Sequence, residues 1–98
     1  MIFAILCKDK PGHLQTRMDT RPEHVAFLND LNDKGTLKFA GPFLDEDSKP
    51  CGSLVAIVAA DKAEAKAIAD SDPYAKAGLF ERVEIRPWNW VFNNPEQA

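Results

Sequence analysis

A chain of 98 residues, 45% of them hydrophobic, suffices for one domain with a packed core and is too short for two. A net charge of −3 excludes the basic excess of a nucleic-acid footprint, and no apolar run reaches the roughly 18 residues a membrane span needs. Cys7 and Cys51 form neither a C-x-x-C pair nor a metal-ligand spacing, so no metal site is expected.

Residues 2–8 form a continuous apolar strand with Cys7 as a buried thiol. They lack the basic start and cleavage site of a signal peptide, and with two unpaired thiols this points to the cytoplasm. Residues 10–19 read as a polar loop opened by Pro11-Gly12. Thr20-Arg21-Pro22-Glu23 matches a capping box for a helix over residues 21–34, with Gly35 closing it.

Residues 36–44 read as a second strand, its Gly41-Pro42 pair implying an edge position. Residues 45–52, acidic and Pro/Gly-punctuated, read as a mobile loop that includes Cys51; its adjacent residues, Pro50 and Gly52, carry no base or charge to activate this thiol. Residues 53–60 are a third, wholly apolar strand. Asp61 and Glu64 frame a second capping box for an Ala-rich helix to about Asp70. Asp72-Pro73 starts a further helical turn that Gly78 stops. Residues 79–92 make the last strand, with Leu79, Val83 and Ile85 on one face and Arg82, Glu84, Arg86, Trp88 and Trp90 on the other. Residues 93–98 read as a loose tail.

The order β-α-β-β-α-β is the ferredoxin-like α+β plan, an antiparallel sheet with both helices on one face. The first and third strands are nonetheless apolar on both faces, and large exposed apolar patches are rare on monomers. A homodimer joined sheet to sheet covers the second face, with Trp88 and Trp90 in the interface.

At about 100° per residue, Phe27, Leu31, Leu28 and Val25 form one apolar arc, and His24 falls near its middle. An inward imidazole needs a partner or a wet pocket. The plain reading is a packed helix histidine; the functional reading is a general acid/base. Asp72 caps a helix in the plain reading. In the functional one it orients His24, one carboxylate oxygen capping and the other on the ring. Arg17 and Arg21 are solvated charges, or hold an anionic substrate near His24. Gly41 and Pro42 end a strand or admit a ligand's close approach, and Tyr74 is a candidate pocket hydroxyl. His13 reads as exposed, and 45–47 as a solvated acidic run without Ca²⁺-loop spacing. No nucleotide loop or serine-hydrolase motif is present, and Ser53 has no triad context.

The stretches Arg21-Pro22-x-His24, Gly35-x-Leu37-x-x-Ala40-Gly41-Pro42, Asp72-Pro73-Tyr74-x-x-Ala77-Gly78-Leu79 and Arg86-Pro87 together resemble the YciI-like (YCII-related) family. The resemblance runs from Met1 to Phe92. It implies a dimeric α/β barrel, and a His–Asp dyad that here would be His24 and Asp72.

The expected function is a cofactor-independent small-molecule enzyme of the lyase or isomerase type. His24, oriented by Asp72, moves a proton, while Arg17, Arg21, Gly41, Pro42 and Tyr74 shape the substrate site. The alternative is a non-catalytic small-metabolite-binding protein, with a haem-handling oxygenase ranked below both.

Overall fold

The structure, a computed structural model, describes residues 1–96; the end of the expected loose tail, residues 97–98, lies outside the described residues. Its elements are β1 (Ile2–Asp9), α1 (Leu14–Asp33), β2 (Leu37–Leu44), β3 (Pro50–Val58), α2 (Lys62–Asp70), α3 (Pro73–Lys76) and β4 (Phe80–Trp88). The four strands form one antiparallel sheet in the order β2-β3-β1-β4, the ferredoxin-like α+β arrangement.

Strand periodicity sets the two faces. Phe3, Ile5 and Cys7 of β1 pair with Ile57, Val55 and Ser53 of β3, and all six are buried beneath the helices. This side holds the core, completed by Leu31 of α1 and Ala65 of α2. The opposite face carries Ile2, Ala4, Leu6, Leu54 and Val58, half-buried, and ends in an aromatic cluster. In that cluster Phe39 meets Trp88 and Trp90 edge to face, at ring distances of 5.5 and 5.0 Å.

The first helix is longer than the capping box suggests. It begins at Leu14, so residues 14–19 are helical rather than loop, and Thr20 and Pro22 lie inside the helix. A proline in a helix interior costs about 3 kcal/mol in unfavourable cases. Here the carbonyl that the ring leaves unpaired is that of Met18, an exposed residue, where water can serve it. The first turn has no side-chain cap; it is held by Arg17, which is buried and bound to the sheet. The buried residues of α1 are Arg17, His24 and Leu31, spaced seven apart. Its inward stripe is therefore polar in the N-terminal half and apolar in the C-terminal half. Gly35, at φ +75°, closes the helix: its N–H bonds the Asn32 carbonyl and that of Thr36 the Leu31 carbonyl.

The 45–52 loop is shorter than expected. The Asp45 carboxylate accepts from the N–H groups of Asp47 and Lys49, folding a tight turn, so β3 starts at Pro50 and Cys51 and Gly52 are strand residues. At its other end β3 stops at Val58, two residues before the expected end, where the Asp61-capped helix follows. The last strand runs over Phe80–Trp88 rather than 79–92, because Trp88 pairs with Ile2 and β1 supplies no partner beyond that point. Farther along, Glu96 is joined to Lys38 of β2 by an ion pair. Among the described residues no helix is long and apolar enough to cross a membrane.

Candidate functional site

The polar half of the α1 stripe opens on a cavity of about 350 Å³ between that helix, strands β2 and β3, and α3. Arg17, Arg21, His24, Gly41, Pro42 and Tyr74 all line it. Val25, Leu28 and Val55 give it apolar walls, the mix of many apolar and few polar groups typical of small-molecule pockets.

His24 is 8% exposed and Asp72 5%. The imidazole Nδ1 lies 2.8 Å from Asp72 Oδ1. Since an ionised carboxylate only accepts, the proton of this bond belongs on Nδ1, which leaves Nε2 as the nitrogen available to a ligand. The same Oδ1 also accepts from the Tyr74 N–H at 2.9 Å, capping α3. One oxygen thus does both tasks expected of two. Gly78, at φ +73°, ends α3 in the same hydrogen-bonding pattern that ends α1, and so fixes the short element that carries Asp72 and Tyr74.

Tyr74 is 2% exposed and stacks on His24, with ring centroids 3.9 Å apart and planes 17° from parallel. The Arg17 guanidinium carbon lies over the Tyr74 ring, 4.6 Å from its centroid, a cation–π distance. Burial pushes the Tyr74 phenol above its ordinary range, against the pull of the Arg17 and Arg21 charges.

Arg17 itself is engaged elsewhere. Its Nε donates to Asp9 Oδ2 at 2.6 Å, and its Nη2 to Asp9 Oδ1 at 2.8 Å and to Ser53 Oγ at 2.9 Å. Burial works against its charge, yet the hydrogen bonds and charge of Asp9, with Tyr74 beside it, outweigh this and raise its pKa. Arg21 is exposed at the cavity rim. Asp9 and Ser53 were not singled out by motif. The strand alternation Phe3-Ile5-Cys7 runs on to Asp9 and marks it as an inward carboxylate, but only if strand β1 is extended that far.

Other candidates fall outside the cavity. His13 is half-buried ahead of α1, its Nδ1 2.9 Å from the Pro11 carbonyl oxygen. The acidic run 45–47 lies in the exposed β2–β3 turn. Cys7 packs beside the Asp72 carboxylate; burial first, then that charge, pushes its thiol up to about 12.

Comparison with known proteins places the molecule. A solved structure of 5-chloro-2-hydroxyhydroquinone dehydrochlorinase (TftG) from Burkholderia phenoliruptrix, in complex with 2,5-dihydroxybenzoquinone, superposes with a TM-score of 0.81 at 34% identity. The match covers 91% of this chain and 94% of that one. Protein YciI of Escherichia coli is 38% identical over 98 residues, covering 94% of this chain and all of that protein. The protein named "Derivative of benzaldehyde biosynthesis cluster protein C" from Emericella nidulans is 36% identical over 80 residues, covering 74% of this chain and 79% of that protein. The YCII-related domain matches residues 1–89. The chain belongs to the YCII-related family.

Proposed function

We propose that the cavity is a catalytic site for small oxygen-bearing ring compounds, and that His24 moves a proton there in an elimination or isomerisation. The observation that carries this reading is the 2.8 Å contact of His24 Nδ1 with Asp72 Oδ1 at the wall of the cavity. A carboxylate on Nδ1 fixes the tautomer and the ring orientation, which suits Nε2 to take a proton and return it. Arg21 at the rim supplies positive charge for an anionic substrate. The cavity is of a size for a single ring, and the similar dehydrochlorinase was solved with such a compound.

The first test is chloride release from 5-chloro-2-hydroxyhydroquinone by the wild type, His24→Gln and Asp72→Asn. Release by the wild type that falls at least ~100-fold in both variants supports the reading. Binding of 2,5-dihydroxybenzoquinone with no turnover of any related ring favours a metabolite-binding role instead.

The open sheet face suggests the assembly. Leu6 and Leu54 pair across its centre, with Phe43 and Trp88 exposed at its margins. A second copy meeting it face to face would bury this surface without adding unpaired charge at its middle.

A further inference from the structure

Asp9 and Ser53 are buried polar groups that the proton-transfer reading does not use. Asp9 ends β1, just past the register shift between Lys8 and Asp9, and Ser53 stands opposite Cys7 in β3. Both direct their hydrogen bonds to one side chain, Arg17, on the helix that covers them. Three of its five N–H donors are spent this way, which fixes the plane of a rigid fork. A staple between helix and sheet would need no more than that. Here, in addition, the fixed guanidinium lies over the Tyr74 ring, and that ring is stacked on His24 and lines the cavity.

We infer that Asp9 and Ser53 are positioning residues. Through Arg17 they hold Tyr74 so that its phenol stands beside His24 as the second hydrogen-bonding group for an oxygen of a bound ring compound. The identity of the occupant rests on the proton-transfer reading of the cavity; the placement of the phenol is a property of the free protein. The charged and titratable groups around that phenol are Arg17, Arg21 and His24 from α1, Asp72 ahead of α3, and Cys7 and Asp9 from β1. Arg17 is the largest of the charges that favour its ionised form.

The chain has one tyrosine. Fluorotyrosine labelling therefore gives a single fluorine resonance, and fluorine also brings the phenol titration down to a pH range that is gentler on the fold. In Arg17→Met the titration midpoint should rise, because a charge that favours the phenolate is gone. In Ser53→Ala, which changes no charge, it should rise less, because Arg17 is loosened rather than removed. Affinity for 2,5-dihydroxybenzoquinone should fall about tenfold in Asp9→Asn and in Tyr74→Phe. The double variant should be no weaker than Tyr74→Phe alone, since the two residues act through one group.

A phenol titration that is unchanged or lowered in Ser53→Ala, with or without a loss of melting temperature, overturns the inference, and so do additive losses in the double variant. If Asp9→Asn does not fold, Ser53→Ala decides. If the quinone fails to bind the wild type, the reading of the occupant fails, while the titration still judges the positioning.

Discussion

Asp72 Oδ1 accepts two hydrogen bonds, from His24 Nδ1 at 2.8 Å and from the Tyr74 N–H at 2.9 Å. One atom therefore couples the start of α3 to the orientation of an imidazole on another helix, 48 residues away in sequence. Asp72→Ala should remove a helix cap, worth about 1 kcal/mol, and leave the buried His24 N–H without an acceptor, at a cost of about 1–3 kcal/mol. Denaturant unfolding should show a loss within the sum of those ranges. A variant as stable as the wild type would mean that His24 finds another acceptor.

The Arg17–Asp9 pair is buried, with side chains 5% and 7% exposed. Breaking it from one side leaves an uncompensated charge, so Arg17→Met or Asp9→Leu should each destabilise by about 3–5 kcal/mol. Replacing both together should recover much of that loss, because an apolar pair of similar volume carries no stranded charge. A double variant that loses as much as the two single ones added together would contradict this.

Alkaline pH should weaken the fold through Cys7. Its thiol is raised from 9.0 to about 12 in the folded chain, by burial and then by the Asp72 charge. The folded state thus holds the proton more tightly than the unfolded one. The resulting stability is complete below pH 9.0 and is lost as pH rises towards about 12. At about 1.4 kcal/mol per tenfold, the loss is of the order of 4 kcal/mol. Tyr74, also raised, adds to it in the same direction. Unfolding in urea at a series of pH values should show this slope in the wild type and a shallower one in Cys7→Ala. Equal slopes would remove Cys7 as the cause.

Leu6 sits on the open sheet face, paired with Leu54 on one side and Glu84 on the other. If a second copy covers this face, the wild type should sediment as a dimer and Leu6→Lys as a monomer. A wild type that is monomeric at micromolar concentration refutes the assembly.

The fold was legible because strand and helix periods leave direct traces in the sequence. The two-faced apolar strands, the Asp61 cap and the glycines at 35 and 78 all signal their structure locally. The start of α1 was not legible, because its first turn is held by a bond from Arg17 to residues on two different strands rather than by a local cap. The position of His24 on the inward stripe could be read from its spacing to Phe27, Leu28 and Leu31. Asp9 and Ser53 could not be recognised, since each gains its role only when the sheet register sets both beside Arg17.

Proton transfer by His24 is tested most directly by exchange at carbon. The ring hydrogens of 2,5-dihydroxybenzoquinone can be followed by NMR in deuterated buffer with wild type, His24→Gln and Asp72→Asn proteins. Catalysed exchange is expected in the wild type, falling by about 100-fold or more in both variants while the quinone still binds. Quinone that binds the wild type without faster exchange, or exchange that survives His24→Gln, would contradict a proton-transfer site built on His24 and Asp72.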